Sequence, residues 1–399
     1  MSEKIILSNK QARGLIEKYG SPLYVYDEEI LRKRCRDIKG MLKYEKYSPN
    51  YSTKANTNLS LLKIVREEGF TVDAMSIGEV EIELAAGFTP AEIMFNSNNV
   101  TKEEMKYSHE KGIIMSVDSL SQLEMFGEIA KGSKVAVRLN PWIGDGHNKK
   151  VVTAGQVKFG VLYEEADKIK EIAARYDLKV VGINQHIGSL FLEDSKYLAA
   201  CEKMLEVAEE FEDLESINFG GGFGVPYKQE ARLDIDGLGK KLDQMLADYQ
   251  SRTGKTPTIK VEPGRYIVAE CGILLGTVTA TKEVYGIKYI GTDIGFNVLM
   301  RPVLYDSHHE IVIYNEEKEH AIYNVVGNIC ESGDILAKDR ELPVTYREDI
   351  IGVENAGAYG FAMASNYNER LRPAEILLSN GAERVIRRRE TIEDLMRHF

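Results

Sequence analysis

Ser216-Ile217-Asn218-Phe219-Gly220-Gly221-Gly222 and Thr258-Ile259-Lys260-Val261-Glu262-Pro263-Gly264-Arg265 decide the fold. Each is a short apolar run that ends in glycine and polar residues. Reading outward, the same unit recurs from about residue 48 to 265. Further strand-like runs are Asn50–Thr53, Thr71–Ala74, Ile93–Asn96, Ile113–Val117, Lys134–Leu139 and Lys179–Gln185. Helical patterns such as Leu59–Glu68, Gly78–Ala86, Leu120–Ala130, Tyr163–Tyr176 and Asp194–Glu212 separate them. Thr101 and Glu104 form a capping box before Met105. Eight strand-helix repeats imply a parallel sheet and match an α/β, (β/α)8 TIM barrel. On periodicity alone a doubly wound open sheet is the alternative.

Beyond residue 266 the texture changes. Ile267–Thr281, Lys288–Asp293, Glu310–Tyr314 and Ala321–Val326 are strand-like, with Gly, Asn and Asp between them. This half predicts a mostly antiparallel β domain, a sandwich or small barrel. A short helical pattern and the strand candidate Pro22–Tyr26 precede the barrel. The expected division is a barrel over 30–265 and a β domain from 1–29 with 266–399.

Composition narrows the function. The 399 residues are 43% hydrophobic and 28% charged, with a formal net charge of −11. That balance argues against nucleic acid, because phosphate binding needs basic surface. No apolar run reaches the roughly 18 residues of a membrane span, and the opening residues show no secretory apolar region. A cytoplasmic location is expected. Cys35, Cys201, Cys271 and Cys330 lie far apart, without metal-ligand or disulfide spacing, so no metal is expected.

Barrel enzymes carry their chemistry at the C-terminal ends of the strands. Here those ends hold Lys54, Asp73, His186 to Ser189, Gly220 to Gly222, and Glu262 to Arg265. Lys54 alone reads as a solvated lysine; in a barrel mouth it can form a Schiff base with a carbonyl cofactor. Glycines after strand seven let backbone N–H groups approach a phosphate, although a tight turn needs them equally. His186 reads either as a core histidine or as a group lying on an aromatic cofactor. Glu262 reads either as a partner of Arg265 or as the carboxylate that keeps a pyridine nitrogen protonated.

Together these motifs resemble the fold-type III pyridoxal-phosphate decarboxylases, and specifically the diaminopimelate decarboxylase family. The resemblance rests on Tyr51–Asn56, His186–Ser189, Gly220–Gly222, Glu262–Arg265, Arg301–Tyr305, Cys330–Asp334 and Gly357–Gly360, with Ala337–Pro343 and Arg372–Glu375. It covers about residues 20–395. It implies pyridoxal 5'-phosphate on Lys54, with Asp73 nearby, His186 on the ring and Glu262 at the pyridinium. Ser189, Gly221, Gly222, Gly264, Arg265 and Tyr359 would surround the phosphate or the adjacent substrate carboxylate. Arg301 and Tyr305 would take the distal carboxylate and Glu331 the distal ammonium, and Cys330 would supply the proton. The resemblance also implies a homodimer with shared active sites, since the Cys-Glu-Ser segment comes from the partner subunit in this family. The implied reaction converts meso-2,6-diaminopimelate, a small amino-acid substrate, to L-lysine and carbon dioxide. The chain departs from the usual pattern at Thr153–Gly160, at Leu190, at Asp306–His309, which carries a His where Tyr is common, and at Asn328. Competing expectations are a decarboxylase of D-lysine, D-ornithine, L-ornithine or L-arginine, a racemase on the same barrel, and a non-catalytic binding protein. Glu262 argues against the racemase, and Lys54 with Cys330 against the last.

Overall fold

Eight short parallel strands turn the sequence's alternation into a closed ring. The protein, described here by a computed structural model over residues 3–146 and 148–399, divides into two units. One comprises Arg34–Val225 and Ala231–Tyr266; the other comprises the residues up to Lys33, Pro226–Glu230 and Ile267–Phe399.

In the first unit the strands are Asn50–Ser52, Thr71–Ala74, Ile93–Asn96, Ile114–Val117, Lys134–Asn140, Lys179–Asn184, Ser216–Asn218 and Thr258–Lys260. They pair in chain order, each parallel to the next. The last returns to the first through Asn50 N–H to Val261 O (2.9 Å) and Ser52 N–H to Pro263 O (3.1 Å). The strands are buried almost throughout, as expected where helices cover one face and the barrel interior the other. The helix Leu59–Glu67 shows why the surrounding segments coil. It buries Leu61, Leu62, Ile64 and Val65 along one stripe, and the Asn58 side chain caps its start. The capping box of Thr101 and Glu104 opens the helix Lys102–Glu110 as its spacing predicts.

Two local expectations change. The pattern over Tyr163–Tyr176 resolves into a 3-10 turn, Tyr163–Glu165, followed by the helix Ala166–Arg175. The longest helix, Ile235–Thr253, was not singled out from sequence. Gly237 and Gly239 in its first turns weaken the helical signal. Packing explains the second: a Cβ on Gly239 would stand 2.0 Å from the Met41 carbonyl oxygen.

The second unit is a nine-stranded sheet in which most pairs are antiparallel. The parallel pairs join Leu23–Asp27 to Ala374–Ser379 and Ile287–Thr292 to His320–Val326. Its long strand begins at Gly272 rather than Ile267, because Arg265–Val268 is one helical turn. It then runs to Val284, where Tyr285 (φ +49°) and Gly286 (φ +82°) make the two-residue hairpin that suits strand twist. Among the described residues no helix is long and apolar enough to cross a membrane.

Candidate active site

The first barrel strand stops at Ser52, and Thr53–Ala55 form a single 3-10 turn that carries Lys54 at the C-terminal mouth. On the neighbouring strand Asp73 pairs in register with Ser52, whose hydroxyl donates to Asp73 Oδ2 at 3.3 Å. Asp73 is fully buried, and its Oδ1 has no hydrogen-bond partner among the described residues. Burial pushes its carboxyl well above the ordinary range, the charge of Glu262 adds to this, and the Lys54 ammonium opposes it.

Glu262 follows the eighth strand and is 6% exposed. Asn218 Nδ2 donates to its Oε1 at 2.6 Å, and Asn96 Nδ2 reaches Oε1 at 3.1 Å and Oε2 at 3.4 Å. Behind them Asn184 Nδ2 donates to Asn96 Oδ1 (3.1 Å), and Ser116 Oγ donates to Asn184 Oδ1 (2.5 Å). This buried chain of side chains from five strand ends fixes the carboxyl plane. Burial raises the Glu262 carboxyl's affinity for a proton, against Lys54, Asn218, Arg138 and Asn96. A cationic N–H donor placed at Oε2 would relieve that burial. Glu262 is not the partner of Arg265: Arg265 Nη2 donates to Ser189 Oγ at 3.0 Å.

The loops after strands six, seven and eight pack backbone against backbone, and this is what the glycines permit. Gly220 and Gly222 have φ of +76° and +106°, favoured only by glycine. A Cβ on Gly220 would lie 2.1 Å from Gln185 O, and one on Gly221 would lie 1.9 Å from Glu262 O. Gly221 N–H donates to His186 Nδ1 at 3.3 Å, so the imidazole carries its proton on Nε2. Burial, reinforced by the Lys54 and Arg138 charges, holds His186 well below the usual histidine range and therefore neutral. Gly264, whose Cβ would meet Ala55 and Ser52 at 3.0–3.1 Å, packs on the Lys54 turn.

The remaining sequence candidates lie in the second unit. Arg301 and Tyr305 start and end one short helix, and Arg301 is 1% exposed. Arg301 meets His309, Ser307 and the Tyr227 ring. Cys330 and Glu331 are exposed on a loop. Buried Asp334 braces that loop, accepting from the N–H groups of Ile329 (2.7 Å) and Phe296 (2.8 Å). Cys330 N–H donates to Asn368 Oδ1, and the Tyr367 hydroxyl donates to Glu331. Tyr359 holds a φ of +56°, a strained conformation for a bulky residue.

Sequence reading missed Asn96, Asn184, Asn218, Ser116 and Arg138, and picked out His309 only as part of the departing segment Asp306–His309. A signal existed for the asparagines, since strands three, five, six and seven all end in one: Asn96, Asn140, Asn184 and Asn218.

A parallel barrel with a lysine after its first strand, a braced glutamate after its eighth and glycine-rich loops between them defines an enzyme that works through pyridoxal phosphate. Comparison agrees: residues 28–269 match the pyridoxal-binding domain of the pyridoxal-dependent decarboxylases. The diaminopimelate decarboxylase of Methanothermobacter thermautotrophicus is 39% identical, over 98% of this chain and 95% of that protein. The Escherichia coli diaminopimelate decarboxylase is 34% identical over 95% and 94%. The crystal structure of the Helicobacter pylori diaminopimelate decarboxylase complexed with L-lysine superposes with a TM-score of 0.91 at 32% identity, covering 97% of this chain and 98% of that one. The chain belongs to the pyridoxal-dependent decarboxylases, in the diaminopimelate decarboxylase family.

The residues present fit pyridoxal phosphate. The barrel mouth combines an amine on a tight turn, an orphaned buried carboxylate oxygen at Asp73 and a braced acid whose burial calls for a cationic donor. The Ser189–Arg265 pair beside glycine loops suits an anion.

Proposed function

We propose that this enzyme decarboxylates meso-2,6-diaminopimelate to L-lysine and carbon dioxide. The observation that carries the reading is similarity to diaminopimelate decarboxylases along nearly the whole chain, one of them 39% identical. Arg301, Tyr305 and Glu331 support it, because a second amino-acid head needs a cation, a hydroxyl and an acceptor together. A guanidinium binds a carboxylate through two parallel hydrogen bonds.

Pyridoxal phosphate, when bound, supplies an electron sink for the pair left as carbon dioxide departs. The chain's own residues do the rest. Lys54 would hold the cofactor through its amine, with Asp73 nearby. Glu262 would keep a proton on the pyridine nitrogen, and neutral His186 would lie against the ring. Ser189, Gly221, Gly222, Gly264, Arg265 and Tyr359 would hold the phosphate or the adjacent carboxylate. Cys330 keeps a proton on Sγ for delivery to the substrate's α carbon.

The functional unit we propose is a cytoplasmic homodimer in which Cys330 of the partner subunit and Glu331 of the partner subunit complete each site. The barrel domain, 30–265, would carry the cofactor, and 1–29 with 266–399 the substrate and interface residues. The test is carbon dioxide release from a panel of meso-diaminopimelate and both enantiomers of lysine, ornithine and arginine. Strong preference for meso-diaminopimelate with L-lysine as product is expected. Preference for an amino acid without a distal carboxylate would overturn the substrate assignment and leave the reaction class.

A further inference from the structure

Arg301 is 1% exposed and its guanidinium is held from three sides. Nη1 lies 2.7 Å from His309 Nε2, Nη2 donates to Ser307 Oγ at 3.4 Å, and the Tyr227 ring lies 4.7 Å from the guanidinium carbon. His309 is fully buried, and its Nδ1 is 2.8 Å from the Glu354 carbonyl oxygen. The Tyr227 ring also meets the imidazole edge-on at 5.1 Å. Chemistry fixes the proton. A carbonyl only accepts, so Nδ1 carries the hydrogen; a guanidinium only donates, so Nε2 offers its lone pair. One neutral tautomer satisfies both neighbours.

We propose that His309 is the positioning residue that aims Arg301 at a substrate carboxylate. The proposal rests on the reading that Arg301 takes the distal carboxylate of the substrate. A carboxylate in the place of His309 would also fix the guanidinium, but it would cancel the charge the substrate needs. A neutral imidazole bound to a backbone carbonyl fixes direction and leaves the charge in place. Ser307 and Tyr227 act in the same sense, as a hydroxyl and an aromatic face that hold a cation without neutralising it. His309 touches no reacting atom in this scheme. Its loss should therefore weaken recognition of the distal head and spare the chemical step.

The test compares His309→Leu, which removes the acceptor, with His309→Gln, whose amide offers an oxygen to Arg301 and an N–H to the Glu354 carbonyl. His309→Asn is too short to do both and serves as the second variant should the leucine protein fail to fold. Each is assayed as holoenzyme, with cofactor loading checked by absorbance. Two ligands are also titrated: L-lysine, which retains the distal head, and cadaverine, which has no carboxylate. A hydrogen bond to a charged group corresponds to roughly a 10- to 100-fold effect. For His309→Leu or His309→Asn, the KM for meso-diaminopimelate and the Kd for L-lysine should rise by about that factor. The kcat should change less than about threefold, with cadaverine binding unaltered. His309→Gln should recover most of the loss. An unchanged L-lysine Kd in either folded short variant would overturn the proposal. Equal weakening of cadaverine would do so too, because it marks a general structural role. Failure of the wild type to act on meso-diaminopimelate would sink the substrate reading, and the L-lysine and cadaverine titrations would still decide the role of His309.

Discussion

Glu83 should make the stability of this enzyme fall as pH rises from about 5 to 8, and Glu83→Gln should remove that slope. Glu83 sits in the last turns of the helix Ile77–Ala86, fully buried, and neither carboxyl oxygen has a hydrogen-bond partner among the described residues. Burial raises its carboxyl from 4.5 to about 8, and the charge of Glu79 pushes in the same direction. In the unfolded chain the proton leaves near 4.5. Between the two values the folded state holds a proton that the unfolded state has lost, so stability declines with rising pH until about 8 and then levels. At about 1.36 kcal/mol per pH unit, the stability lost between pH 4.5 and 8 is on the order of 5 kcal/mol. Glutamine keeps the shape and cannot ionise. Its own buried amide carries a cost that does not vary with pH, so the informative quantity is the pH dependence of the difference. Melting of wild type and Glu83→Gln would be followed by calorimetry from pH 5 to 8.5. The variant's melting temperature relative to wild type should climb across this range, by roughly 2–4 °C for each kcal/mol. A difference that stays constant with pH would refute the reasoning, since it would mean that Glu83 ionises normally in the fold.

Three further outcomes follow from the barrel mouth. Lys54→Ala should abolish turnover and the absorbance of covalently held cofactor, and mixing it with inactive Cys330→Ala should restore part of the activity. No recovery after confirmed subunit exchange would remove the shared site. Glu262→Gln should keep the cofactor but lower kcat by roughly 100-fold or more, because a neutral amide does not hold the ring nitrogen protonated; near-normal kcat would show that another group does so. His186 is held neutral in the fold, so the unfolded chain takes up a proton below about 6.5 that the folded chain refuses, and stability drops with acid in that window. His186→Asn should flatten the decline between pH 6.5 and 5 in thermal melts, and an unaltered acid slope would show that burial does not suppress the charge.

Much of this architecture was legible in the chain. The alternation of short apolar runs with amphipathic stretches specifies strand and helix locally, and eight repeats leave few topologies. Lys54, Asp73 and Glu262 could be picked out because each stands at or just after a strand end, where barrel chemistry collects. Tertiary structure alone decided which polar group finds which. The Ser116–Asn184–Asn96–Glu262 chain joins residues up to 166 positions apart, and only closure of the ring turns them to one interior. The identity of the Arg265 partner was settled the same way, with Ser189 rather than Glu262 receiving the guanidinium. Glu83 has the composition of an exposed helical residue and becomes a buried acid because its helix presents that face to the barrel. His309 is eight residues from Arg301, and its role comes from a strained turn at Asp306 (φ +53°) and from the carbonyl of Glu354, 45 residues further on. Sequence periodicity fixes which elements form, because it is a local property of the chain. Burial, tautomer and ion pairing depend on side chains brought together from distant positions, and only the folded chain specifies them.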